Sequence, residues 1–268
     1  MTAPAGDGWA RAADGVPIRF EVEGTGDPTL LLVHGWAFDR RLWEHEVPRL
    51  ARRHRVVTLD LPGHGESGRE RKDWTIASYA GDVKSVADAA GAARFVLVGH
   101  SMGGLVSVEA ARRMPDRVLG LLLVDILLDV EQRTPPEVID SMERPLQADY
   151  VGTVKPMAEQ FLLVPATPKD VRERVTGQVA ALPADLSIAL LREVWTYDPL
   201  PALAEIRAPI RAVNADMYPT NLEANRRHMP GYEATIVPGT GHYPMLEVPD
   251  RFAPAFDRTL AALLAAVR

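Results

Sequence analysis

Ser101 stands in the run Gly99-His100-Ser101-Met102-Gly103. A serine hydroxyl is a weak nucleophile until a neighbouring base takes its proton. Glycines two residues before and two after it are what a sharp strand-to-helix corner requires, because side chains there collide once the serine is pushed to the tip. The helix that opens just beyond offers unpaired N–H groups and positive potential to an oxyanion. The chemistry suggested is attack on a carbonyl carbon. Seven histidines are candidate bases: His34, His45, His54, His64, His100, His228 and His242. None is paired at i, i+4 or at another metal-ligand spacing. There is no cysteine, which excludes a thiol nucleophile, a thiolate metal site and a disulfide framework.

The nucleophile run needs a strand before it and a helix after it, and both are legible. Phe95–His100 is apolar almost throughout, and Met102–Met114 carries small and apolar residues before Glu109, Arg112 and Arg113. Further strands are expected at Ile18–Glu23, Thr29–His34, Arg55–Asp60, Val118–Asp125, Ile210–Ala215 and Tyr232–Val237. Several are apolar without alternation, as in strands covered on both faces of a parallel sheet. Helices are expected at Arg40–Arg53, Thr75–Ala90, Thr220–His228 and Pro249–Val267. Strands alternating with helices predict an α/β sheet with crossover connections.

That alternation stops after Asp125 and resumes near Ile206. The block 126–205 holds nine prolines, yet keeps apolar residues such as Phe161, Leu190, Leu191 and Trp195 and helix-like pieces at Lys169–Ala181 and Leu186–Trp195. It reads as an inserted helical subdomain. It also carries 13 acidic against 7 basic residues, and so holds the whole net charge of −6. The division expected is a core of 1–125 with 206–268, and a second unit over 126–205. With 268 residues, 47% hydrophobic and 25% charged, the chain can bury a sizeable core and is not disordered. The mild acidity argues against nucleic-acid partners, and no apolar run is long enough to insert in a membrane. Met1–Ala12 lacks a basic cluster followed by an apolar core, so the expected location is cytoplasmic.

Four motifs together resemble the α/β-hydrolase family: Val33-His34-Gly35-Trp36, Asp60-Leu61-Pro62-Gly63-His64-Gly65-Glu66-Ser67, the Ser101 run, and Gly239-Thr240-Gly241-His242-Tyr243-Pro244. The resemblance covers nearly everything outside 126–205 and implies the α/β-hydrolase fold, a mostly parallel sheet flanked by helices. The block 126–205 falls where that family places its cap. The resemblance also implies the base, since in the family it follows the last strand; only His242 meets that description. Most members carry the triad acid shortly after the strand that ends at Ala215, and that position falls here on Tyr218. The other acid position used in the family is Asp125, as in some haloalkane dehalogenases. Asp125 is therefore the expected acid, with Asp216 the alternative. A carboxylate ending so apolar a strand also needs a partner.

By the same resemblance the oxyanion donors are the backbone N–H groups of Met102 and Trp36, whose side chains are expected to make the pocket apolar, with Phe38 a further wall. The function implied is a serine hydrolase cleaving a small or medium, largely apolar ester or lactone through an acyl-enzyme. It acts on a small molecule and calls for no metal and no organic cofactor. A C–C bond hydrolase or lyase with the same triad, or a non-catalytic ligand receptor on this scaffold, are the alternatives.

Overall fold

The computed structural model describes residues 6–267. The first five residues of the Met1–Ala12 stretch lie outside the described residues. Eight strands form one sheet: β1 (Gly6–Arg11), β2 (Pro17–Glu23), β3 (Thr29–Val33), β4 (Val56–Leu59), β5 (Phe95–His100), β6 (Val118–Val124), β7 (Ile210–Ala215) and β8 (Glu233–Val237). Their spatial order is β1-β2-β4-β3-β5-β6-β7-β8. β2 runs antiparallel to both β1 and β4, and every pair from β4 to β8 is parallel. Every residue of β3, β4 and β5 is buried. Both faces are therefore covered, which is why these strands read as continuous apolar runs.

The helices are α1 (Val47–Leu50), α2 (Ile76–Ala89), α3 (Met102–Arg113), α4 (Pro136–Ala148), α5 (Tyr150–Phe161), α6 (Lys169–Ala181), α7 (Ala184–Thr196), α8 (Leu200–Glu205), α9 (Leu222–His228), α10 (Pro244–Glu247) and α11 (Pro249–Ala266). Helix α3 packs on β3, β5 and β6, and α11 packs on β6, β7 and β8. Helices α4 to α8 all fall between β6 and β7. Each of the longer ones buries a narrow stripe: Ile139, Glu143 and Leu146 in α4, and Val171, Val175 and Val179 in α6. The buried Glu143 is paired with Arg192 of α7 at 2.6 Å. No helix among the described residues is long and apolar enough to cross a membrane.

Three departures from the expected elements have a clear physical reason. The single helix expected at Arg40–Arg53 is a 3-10 turn at Arg40–Trp43 followed by the short α1. Pro48 has no N–H to offer the Glu44 carbonyl and its ring crowds that oxygen, and it sits in the first turn of α1, where a missing N–H costs nothing. Strand β1, with the sequence GDGWAR, has no counterpart among the expected elements: among the described residues it pairs with β2 alone, at the sheet edge, and needs no apolar run. Helices α4 and α5 form although Pro145 and Pro156 lie inside them, and those prolines hide them from a reading by periodicity.

Candidate active site

The corner after β5 carries Ser101 at φ 52°, ψ −125°, a left-handed conformation that a non-glycine residue adopts only when its surroundings impose it. The surroundings are tight. A Cβ on Gly99 would lie 2.5 Å from the Gly103 carbonyl oxygen, and one on Gly103 would lie 2.3 Å from the His34 carbonyl oxygen. Met102 opens α3, so its N–H is among those without an intrahelical acceptor. The loop after β3 presses against the same corner: a Cβ on Gly35 would lie 3.1 Å from Ser101 Cβ.

Asp125 follows β6 in a left-handed conformation, φ 48°. Its N–H donates to the Val213 carbonyl at 3.1 Å, and its Oδ1 accepts the N–H of Ala215 at 2.9 Å. The remaining oxygen, Oδ2, lies 2.6 Å from His242 Nδ1. A carboxylate can only accept, so Nδ1 carries the proton and Nε2 is left as a lone-pair acceptor. Asp216 sits elsewhere. It is exposed, and its Oδ1 accepts the N–H groups of Gly239 at 2.7 Å and Thr240 at 3.3 Å, so it braces the base of the loop and not the imidazole. Tyr218, where the usual acid would fall, lines the cavity and reaches the Phe161 carbonyl at 3.4 Å.

Ser101, Asp125 and His242 open onto one cavity of about 600 Å³. Its walls combine Trp36, Leu105 and Tyr243 with residues between β6 and β7, among them Met157, Leu191 and Trp195. Trp36 thus forms part of the cavity wall. The Met102 side chain does not: it is fully buried and does not line the cavity, because the first turn of α3 directs it into the core. Only its backbone N–H is left to serve the site. Phe38 is likewise buried, stacked on Tyr243 with ring centroids 4.8 Å apart.

The other histidines near the sheet edge fix loops. Leu61 N–H donates to His34 Nε2 at 2.9 Å, which leaves His34 Nδ1 to donate to the Gly35 carbonyl at 2.8 Å. His100 Nε2 donates to the His242 carbonyl at 2.8 Å. His64 Nδ1 donates to the Pro62 carbonyl at 3.2 Å. Burial lowers the pKa of all three, that of His100 well below the ordinary imidazole range and that of His64 to about 3. Each binds fewer protons folded than unfolded, so its contribution is complete above the unfolded pKa and is lost as pH falls toward the folded one. The melting temperature should hold steady above about pH 7 and decline progressively below about pH 6. A melting series with no decline down to about pH 4 would contradict the buried neutral imidazoles.

One further contributor carries no local sequence signal. Asn225 of α9 is fully buried; it donates to the Leu127 carbonyl at 2.7 Å and accepts the Val130 N–H at 3.0 Å. It thereby clamps the segment after Asp125, where Leu127 is also left-handed at φ 55°. The two ends of this clamp are almost a hundred residues apart, so no spacing rule finds it.

Residues 30–255 match the model of the Alpha/beta hydrolase family. The chain belongs to that family. Within the α/β hydrolases it is similar to a pimeloyl-[acyl-carrier protein] methyl ester esterase of Sodalis glossinidius, 32% identical over 206 residues, which cover 73% of this chain and 77% of that protein. A shorter match, 40% identical over 111 residues, is to the dihydrolipoyllysine-residue acetyltransferase component of the acetoin cleaving system of Cupriavidus necator; it covers 41% of this chain and spans only 30% of that protein. Among solved structures, a thermophilic esterase from Thermogutta terrifontis superposes with a TM-score of 0.82 at 26% identity, covering 97% of this chain and 99% of that one.

Proposed function

We propose that this α/β hydrolase is a serine esterase in which Ser101 is the nucleophile, His242 the general base and Asp125 the acid that orients it. The observation that carries the reading is the 2.6 Å contact between His242 Nδ1 and Asp125 Oδ2 beside a serine held at a strained corner of the same cavity. The esterases among its relatives support ester bonds as the target.

Ser101 Oγ attacks the ester carbonyl carbon while His242 Nε2 takes the hydroxyl proton. The negative charge formed on the carbonyl oxygen is met by the N–H groups of Met102 and Trp36, both backbone donors that cost no reorganisation. Asp125 stabilises the imidazolium by charge and by holding its tautomer. The tetrahedral intermediate collapses, and His242 passes its proton to the departing alkoxide. Water, deprotonated by the same nitrogen, then releases the acid and restores Ser101.

Residues 126–205 serve as a helical cap, and their apolar side chains select the acyl group. A cavity of about 600 Å³ walled by Leu105, Met157, Leu191 and Trp195 suits a small or medium, largely apolar ester or lactone. Treatment with a serine-directed phosphonate should place one adduct on Ser101, found by peptide mass mapping, and abolish hydrolysis of medium-chain aryl esters in proportion. An adduct on another residue, or none, overturns the nucleophile. A full adduct with no turnover of any ester or lactone overturns the ester assignment alone.

A further inference from the structure

The loop that carries His242 is held by its three consecutive backbone N–H groups. That of Gly241 donates to Glu247 Oε2 at 2.9 Å and that of Tyr243 to Glu247 Oε1 at 3.1 Å. The N–H between them, that of His242 itself, donates to the carbonyl of Leu162 at 2.8 Å. A third donor reaches the same carboxylate: Thr167 Oγ1 lies 2.9 Å from Glu247 Oε2. Glu247 and Thr167 are both buried, and both Leu162 and Thr167 belong to the segment between α5 and α6.

Capping of α10 accounts for only one of these bonds. Tyr243 is the N-cap of that helix, and a side chain in the first turn reaching back to the N-cap N–H is a familiar arrangement. Gly241 lies two residues upstream of the cap, and Thr167 comes from another part of the chain. Neither bond serves the helix. Both serve the loop, and together with the Leu162 carbonyl they fix the backbone on either side of the imidazole. Three donors converging on one side chain also demand an acceptor at both of its terminal atoms, which a carboxylate supplies and a carboxamide does not.

We propose that Glu247 is the positioning residue for His242, and that through Thr167 it makes the placement of the base depend on the seating of residues 162–167. The proposal rests on the reading of His242 as the general base. Glu247→Gln keeps the size but turns an NH₂ group toward one of the backbone donors. The amide oxygen keeps Gly241 and Thr167 when it takes the Oε2 place, and the Tyr243 N–H then faces another donor. The loop shifts, and a base misplaced by a fraction of an ångström to 1 Å loses on the order of 10- to 100-fold in rate. Thr167→Val removes the hydroxyl at nearly constant shape; it takes the donor from Glu247 and also the acceptor of the Val164 N–H at 3.0 Å, so the double variant isolates the part that runs through Glu247.

The test is a double-variant cycle on the full chain with a neutral aryl ester, the active sites being titrated by phosphonate. Expected for Glu247→Gln is a kcat lower by about 10- to 100-fold with KM within about twofold, and a parallel fall in the rate of phosphonate labelling at Ser101. Thr167→Val should lower kcat by about three- to tenfold, and the double variant should be no slower than Glu247→Gln alone. A kcat per titrated site equal to that of the parent, with only the melting temperature lowered, overturns the proposal, as does full additivity. If Glu247→Gln does not fold, Thr167→Val decides: an unchanged kcat overturns it. His242→Asn is measured alongside. Its retaining activity would defeat the base assignment itself, whereas an inactive His242→Asn beside an unimpaired Glu247→Gln defeats only the positioning role.

Discussion

Asp125→Asn is expected to lower kcat on the order of 10⁴-fold, while Asp216→Asn leaves it within about threefold. The reason lies in which atoms of Asp125 are already committed. Its Oδ1 accepts the Ala215 N–H, so an asparagine keeps its oxygen there and presents Nδ2 to the imidazole. His242 Nδ1 must then accept, its proton moves to Nε2, and the nitrogen meant to take the serine proton is blocked. The charge that stabilises the imidazolium is lost as well. Asp216→Asn retains an oxygen able to accept from Gly239 and Thr240, so the loop it braces stays in place. Steady-state kinetics on purified variants reads the result. A large loss confined to the Asp216 variant would reverse the assignment.

Gly103→Ala should destabilise the fold by about 3 kcal/mol, since its new methyl group meets backbone and not a flexible side chain. The Cβ would lie 2.3 Å from the His34 carbonyl oxygen and 2.5 Å from that of Val33. These atoms end β3 and begin the loop that carries Trp36. Relief requires α3 to move away from β3, or that loop to move away from Ser101. The melting temperature should fall by roughly 6–12 °C for a chain of this size. Turnover per folded molecule should fall too, because either movement separates the two proposed oxyanion donors. A variant melting within about 2 °C of the parent would show that the corner is looser than its geometry indicates.

The corner around Ser101 is legible in the sequence because its constraint is local: two glycines, a strand before and a helix after, within a short stretch of chain. The buried strands are legible for the same reason, since each declares itself by its own apolar run. The edge strand β1 does not, because it pairs with one strand and, of its apolar side chains, Ala10 enters the core while Trp9 is exposed. Met102 shows a different limit. Its position in the chain follows from the motif, but the direction of its side chain follows from how α3 lies on the sheet. Between Asp125 and Asp216 the residues alone leave contact with His242 open, for each directly follows a strand. The parallel register of β6 and β7 places the Ala215 N–H against Asp125, and that pairing turns the free oxygen to the imidazole. Asn225 and Glu247 were not legible at all. They act on backbone groups brought close only by the finished fold, and nothing in a local pattern marks a side chain that serves a distant amide.

The contact between Asp125 and His242 joins residues 117 positions apart, with all of α4 to α9 and β7 and β8 between them. Closing a loop of that length carries an entropic cost that local contacts do not, and it is met only when the segments on both sides have already docked. During synthesis Ser101 and Asp125 leave the ribosome well before His242 does. The strands β3, β5 and β6 that surround Ser101 are all synthesised before any part of the His242 loop. The proposed triad can therefore be complete only after the chain has been made through β7 and β8 to His242.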